Sequence, residues 1–104
     1  MWIQVIRARL KPGMDAEFAA LGERLRAIEQ PDSGLLRSTM ARSTSDPSAV
    51  QMIVAFESQE AARARESDPR REEGLGLIRA TMGEIFAGPP EFTDLDVLDE
   101  WTGS

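Results

Sequence analysis

GLLRSTMARSTSDPSAVQMIVAFE, residues 34–57, is the stretch whose reading decides the fold. Two runs, Leu35–Arg42 and Ala49–Phe56, flank the segment Thr44-Ser45-Asp46-Pro47-Ser48. Asp before Pro marks a turn, because the ring fixes φ while the carboxylate can accept from backbone N–H groups just ahead. The stretch therefore reads as a β-hairpin. Along its second run Val50, Met52, Val54 and Phe56 fall on one face and Gln51, Ile53 and Ala55 on the other, since successive strand side chains alternate. Both faces carry apolar residues, so both are expected to be at least partly covered. Helices would cover one of them. In so short a chain, the simplest cover for the other is a second copy of itself.

Upstream, Trp2 to Leu10 alternates imperfectly, with Trp2, Ile6, Ala8 and Leu10 on one face and Ile3, Val5, Arg7 and Arg9 on the other; this is a first strand. Lys11-Pro12-Gly13 stops it, and Asp15 and Glu17 then sit where a helix dipole favours negative charge. Met14, Phe18, Leu21, Leu25 and Ile28 form one apolar stripe, which predicts a helix over residues 14–30. Downstream, Ser58 is an N-cap for a short helix to about Glu66, whose core side offers Ala61, Ala62 and Ala64 and so implies close approach. Asp68-Pro69 is a second helix start, followed by the stripe Leu75, Ile78, Met82, Ile85 and Phe86. Gly74 and Gly76 interrupt that helix at about 1 kcal/mol each relative to Ala, marking either a kink or a close backbone contact. Gly88-Pro89-Pro90 ends it, and Thr93 to Trp101 reads as the last strand.

The order is β-α-β-β-α-β, the ferredoxin-like α+β plan with a four-stranded antiparallel sheet. Both helices lie on one sheet face. The other face would carry Ile3, Val5, Ile53 and Leu98, a contiguous apolar patch that predicts a homodimer.

At 104 residues the chain is read as a single domain over 1–104, near the size where folding buries roughly 60 to 68% of the extended surface. Its formal charge of −6 speaks against nucleic acid and anionic membranes as partners. Cysteine, histidine, asparagine and tyrosine are all missing. Thiolate catalysis, imidazole metal ligation and most neutral proton relays are thereby excluded. Met1 leads directly into a strand-like run without a signal-like or membrane-spanning segment, which reads as cytoplasmic.

Together, the Lys11-Pro12-Gly13 turn, Glu17-Phe18, Gly34-Leu35-Leu36, Asp46-Pro47, Phe56-Glu57-Ser58 leading into Glu60-Ala61-Ala62, and Trp101 resemble the antibiotic-biosynthesis-monooxygenase-like group of the dimeric α+β barrel superfamily. The resemblance implies a homodimer with two sheets face to face and a small cavity in each subunit between sheet and helices. It further implies a cofactor-independent monooxygenase acting on an aromatic or quinone-like compound, or else a non-catalytic dimeric ligand-binding or regulatory module. Haem-degrading members of the group hold iron through a histidine and use an asparagine near it. This chain has neither, so no cofactor is expected.

The cavity candidates are Phe18, Met40, Arg42, Met52, Phe86 and Trp101. Trp101 and Trp2 can flank an aromatic ligand or pack in a core or dimer seam. Met40, Met52, Met82, Phe18 and Phe86 can line an adaptable pocket or simply fill the core. Arg7, Arg9, Arg37 and Arg42 can grip an anion, although pairing with Asp94, Asp96, Asp99 and Glu100 on the neighbouring last strand is the favoured use. Those carboxylates read as a solvated strand face rather than a metal site. Ser38, Thr39, Ser43, Thr44 and Ser45 have no histidine to activate them. Arg63, Arg65, Arg70, Arg71 and Arg79, interleaved with acids, read as a solvated helix surface.

Overall fold

The alternation read in residues 49–56 is realised as the central strand of a sheet in the computed structural model, which describes residues 1–103. In chain order the elements are β1 (Trp2–Arg9), α1 (Asp15–Ala27), β2 (Leu35–Arg42), β3 (Ala49–Phe56), α2 (Gln59–Glu66), a 3-10 turn (Pro69–Arg71), α3 (Glu72–Ile85) and β4 (Glu91–Asp96). The strands form one antiparallel sheet in the order β2-β3-β1-β4, the ferredoxin-like arrangement. β1 meets β3 from Trp2↔Phe56 to Arg9↔Ala49, so Val50, Met52, Val54 and Phe56 share a face with Trp2, Ile6 and Ala8. That face builds the core, where Leu10, Val50 and Met52 pack with Phe18 and Leu21 of α1 and with Ile78 and Ile85 of α3. A smaller cluster joins Val54 and Phe56 to Ala62 of α2.

Ile3, Val5, Thr39 and Ile53 occupy the opposite face, outside both clusters. Val5 and Ala55 are buried even there, Ala55 with Ile3 and Arg37 directly across from its short side chain on either neighbouring strand.

The hairpin turn forms as read. Asp46 accepts from the backbone N–H of Ser48 at 3.1 Å and from its hydroxyl at 2.7 Å, while Arg9 reaches the same carboxylate at 2.8 Å. Those bonds, from the Ser48 side chain first and then Arg9 and the Ser48 backbone, hold the Asp46 carboxyl down at about 2.

Three boundaries differ from the sequence reading. α1 stops at Ala27 rather than residue 30, since the chain tightens through a Glu29 N–H to Arg26 carbonyl bond of 3.3 Å. The expected second helix start at Asp68-Pro69 is a 3-10 turn capped by the Asp68 side chain, which accepts from the Arg70 N–H. β4 runs from Glu91 to Asp96 instead of Thr93 to Trp101. Its pairing with β1 runs out at Trp2↔Asp96, and a bond from Val97 N–H to the Met1 carbonyl, 3.1 Å, closes it. Leu98 is consequently 93% exposed, off the sheet face where it was expected.

Gly74 and Gly76 of α3 resolve differently. A Cβ on Gly74 would lie 2.5 Å from Cγ2 of Ile28, so α3 meets the end of α1 by close backbone approach. At Gly76 a Cβ would meet nothing within 4 Å. Gly74→Ala should therefore destabilise the fold by about 1–3 kcal/mol through overpacking. Gly76→Ala should stabilise it by up to about 1 kcal/mol through helix propensity. Urea midpoints of the two variants check the pair, and equal shifts would contradict the assigned contact.

Candidate functional site

Helices held against one side of a pleated sheet leave a gap wherever their facing residues are small or stop short. Here the gap is a cavity of about 370 Å³, within the roughly 300–1,000 Å³ typical of ligand sites. The sheet contributes Gln4 and Ile6 from β1, Leu35, Ser38 and Met40 from β2, and Met52 and Val54 from β3. The helices contribute Gly22, Leu25 and Arg26 from α1, Arg65 from α2 and Met82 from α3, with Glu29 just beyond α1. β2 reaches the cavity because of an irregularity at Leu36. Leu35 pairs with Phe56 while Arg37 pairs with Ala55, and the extra residue returns Ser38 and Met40 to the helix side. Gly22 is the counterpart across the gap, for a Cβ there would collide with the Met40 sulfur.

The polar end of the cavity is a buried ion pair. Arg65 donates to Glu29 through Nε at 3.0 and 3.1 Å and through Nη2 at 2.6 Å, with side chains only 13% and 17% exposed. The Arg65 guanidinium also lies 5.2 Å from the centroid of the Phe56 ring, a cation–π contact. Burial pushes the Glu29 carboxyl up, but hydrogen bonds from Arg65 and Ser33 and the charges of Arg65 and Arg71 outweigh it and hold the group below its ordinary value. Behind Arg65 stands Arg71, 2% exposed. Its Nη1 donates to the Arg65 carbonyl at 3.1 Å, and its Nε is buried without a hydrogen-bond partner. Burial first, and the Arg65 charge second, lower its pKa, against the pull of Glu29 and Asp68.

Of the residues singled out from sequence, Met40 and Met52 line this cavity. Phe18 and Phe86 lie in the core, tilted at 56° with ring centroids 6.4 Å apart. Arg42 and Trp101 do not reach it. Arg42, at the end of β2, pairs with Asp15 at 3.3 Å and borders a different groove. Trp101 lies past β4 and is 83% exposed, because the strand expected to carry it ends at Asp96.

The expected pairing of strand arginines with the last-strand acids holds for Arg37, which meets Glu100 at 2.8 Å. Arg9 turns instead to Asp46, and Arg7 donates to Thr93 at 3.2 Å. The solvated reading of the helix arginines is corrected at two positions: Arg65 and Arg71 are interior, while Arg63, Arg70 and Arg79 are exposed. Arg65 follows buried Ala62 by three positions and so shares its helix face, a signal the alternation of charges concealed.

A second groove, of about 470 Å³, lies across the sheet from Ala41 to Glu91 and is bordered by Arg7, Arg9 and Arg42. It is the larger of the two but more open to solvent, edged by exposed Arg7, Arg9 and Arg42 around a lining of Ala8, Ala41, Ala49, Val50 and Pro89. The cavity among the methionines is the better ligand site on that ground. Among the described residues no group of three or more His, Cys, Asp or Glu is placed to hold a metal ion, and no helix is long and apolar enough to cross a membrane.

A family model described as antibiotic biosynthesis monooxygenase matches residues 1–73. No curated protein sequence matches the chain. Among solved structures, a candidate antibiotic biosynthesis monooxygenase from Nitrosomonas europaea is similar at 20% identity and TM-score 0.73, over 95% of this chain and 100% of that one. Another such candidate, from Bordetella bronchiseptica, is 23% identical with TM-score 0.70, over 93% and 97% of the two chains. SnoaB, a cofactor-independent oxygenase from Streptomyces nogalater solved as a mutant, is 20% identical with TM-score 0.73, over 95% and 94%. At these identities the structural likeness establishes the fold.

Arg65→Met should cost about 2–3 kcal/mol at pH 7, because Glu29 is left partly buried without a partner. The sign with pH follows from the depressed Glu29 pKa. Stabilisation from a carboxylate of that kind is present above its unfolded value and lost as pH falls through the folded one. The gap between wild type and variant should accordingly shrink on acidification to about pH 3. Urea titrations at the two pH values check this, and a gap that widens in acid would contradict the pair's assigned role.

Proposed function

We propose, because the chain belongs to the antibiotic biosynthesis monooxygenase family, that the cavity between its sheet and helices takes a flat aromatic or quinone-like compound and oxygenates it without a cofactor. The observation carrying this is the cavity itself, about 370 Å³ in volume and walled by Met40, Met52, Met82, Leu25 and Ile6. Thioethers adapt to a ring and make favourable sulfur–aromatic contacts.

The side chains at the cavity limit the chemistry. The chain has no histidine or cysteine, and the carboxyl on the wall, Glu29, is held below its ordinary pKa, which makes it a weak base. Proton removal must then come cheaply from the substrate, as in hydroquinones and polycyclic phenols whose anions form near neutral pH. In a polycyclic phenol whose keto tautomer bears a ring CH₂, loss of one CH₂ proton gives the anion, which passes one electron to dioxygen. The radical and superoxide recombine at that carbon, the peroxide takes up a proton, and loss of the remaining C–H proton with hydroxide, as water, leaves a carbonyl. One oxygen atom of O₂ ends in the product and the other in water.

A second reading keeps the cavity but drops the chemistry. Its support is that the ionisable groups on the wall are already paired, Glu29 with Arg65 and Arg26 with Glu23, as in a non-catalytic binding module. Oxygen uptake with a panel of polycyclic phenols separates the two. Ser38 lies exposed on the cavity wall, so Ser38→Trp should fill the site without disturbing the core and lower uptake at least about tenfold. Uptake equal to the protein-free blank with every phenol, while those phenols still quench tryptophan fluorescence, would leave the binding module. Absence of both signals would remove the ligand site altogether.

The proposal includes a homodimer through the sheet face away from the helices, in a cytoplasmic setting. Half-buried Ile3 and Ile53 form its apolar centre around buried Val5, with exposed Leu95 added by β4 opposite Ile3, and a stable interface needs about 800 Å² per partner. Sedimentation equilibrium at low micromolar concentration should give twice the chain mass of 11.5 kDa. Ile53→Glu should return it to one chain. A wild-type protein that sediments as a monomer would overturn the assembly.

A further inference from the structure

We infer that the cavity selects ligands carrying an anionic oxygen, a carboxylate or a phenolate, and seats that group on Arg65 in competition with Glu29. This rests on the cavity being a ligand site, as proposed above, and adds which ligands it prefers and which residues decide.

At the polar end Glu29, the carboxylate that Arg65 holds directly, faces two guanidinium groups, those of Arg65 and Arg71. Asp68 acts on Arg71 by charge but gives its hydrogen bonds to Arg70, which is shared with Asp32. Arginine does not shed its proton in proteins, so Arg71 remains an inner cation whose hydrogen bond is to a carbonyl and whose Nε has no partner at all. A buried cation balanced only through space by Glu29 and Asp68 gains from further negative charge nearby. An anion arriving beside Arg65 would supply it.

Arg65 is also the arginine with donors to offer. Glu29 occupies its Nε and Nη2, and among the described residues no hydrogen bond is formed by Nη1. Arg65 itself lines the cavity, so this edge of the guanidinium can serve a ligand while Arg71 stands behind. Arg26 adds a further cation on the wall, held only loosely by Glu23 at 3.4 Å on the exposed side. Ser38 and Gln4 offer neutral donors across the gap, and the methionines take the ring. A charge-assisted bond from a guanidinium is about twice as strong as a neutral one, so the anionic group rather than the ring should set the orientation.

Glu29 gives the inference a sign that a merely structural role would not. As resident carboxylate it screens Arg65, and Glu29→Gln removes the screen while keeping the shape. Calorimetric titration at pH 7 with 2-naphthoate and its neutral analogue 2-naphthamide reads the outcome. Wild type should bind the naphthoate about tenfold more tightly than the amide. Glu29→Gln should widen that ratio by about another tenfold, and Arg65→Gln should erase it while amide binding persists.

Arg71→Gln removes the inner cation without touching the cavity wall and should narrow the ratio. Circular dichroism establishes that each variant is folded, and the wild-type ratio needs no variant. Equal wild-type affinity for the two compounds, or a Glu29→Gln variant with an unchanged ratio, would overturn the anion seat and leave the cavity reading standing. Failure of both compounds to bind wild type would overturn both readings.

Discussion

The register of β1 against β3, from Trp2↔Phe56 to Arg9↔Ala49, is the constraint on which the other features of the molecule depend. Strand side chains alternate, so a slip by one residue would carry Val50, Met52, Val54 and Phe56 away from the helices and present Gln51 and Ile53 to them. Past the end of β1, on the side where it pairs with β4, Leu10 meets Phe86 in an isolated bridge, and the Ala87 N–H bonds to the Arg9 carbonyl at 2.7 Å. The end of α3 is thereby fixed to the sheet edge. With both ends of the core tied down, α1 and α3 cannot settle further onto the sheet, and the space between Met40, Met52 and Met82 stays open.

Close approach on one side of that space complements the opening on the other. Gly34, at φ +77°, is a position where an added Cβ would sit 2.7 Å from Cβ of Ala61, and this lets the start of α2 lie against the entry to β2. α2 then carries Arg65 inward over Phe56 and onto Glu29. Lining the closed end with a salt bridge rather than hydrocarbon is a poor way to gain stability, because desolvation offsets most of the attraction. Its consequence is a polar, oriented wall in an otherwise apolar cavity. Arg71 stands beside that wall and donates to the Arg65 carbonyl in the last turn of α2, so it also holds the helix end that carries Arg65.

The elements were largely legible because period-2 and period-3.6 patterns in residues 49–56 and 14–28 are strong and turn signals such as Asp46-Pro47 stand beside them. Boundaries were less so. Nothing in Thr93–Trp101 announces that its partner strand will be used up at Trp2, since the length of an antiparallel ladder is a property of two segments. The candidate site was read in part: Met40 and Met52 lie on the cavity by alternation, whereas Arg42 and Trp101 were placed near it by strand position alone.

The sequence by itself determined the β-α-β-β-α-β order, the helix-facing side of the central strand, and the want of histidine and cysteine that restricts any chemistry to substrates ready to lose a proton. Each of these depends on neighbours a few residues away or on composition, so each survives without knowledge of the packing. Tertiary structure alone decided where the charges went. Glu29 and Arg65 are 36 positions apart, and both lie in stretches where acids and bases alternate as on any solvated surface. Only the docking of α2 against the end of α1 buries the pair, strands Arg71 behind it, and gives the cavity its positive end. The irregularity at Leu36 belongs with these, because whether one residue is left out of a ladder depends on the partner strand and cannot be read from either strand alone.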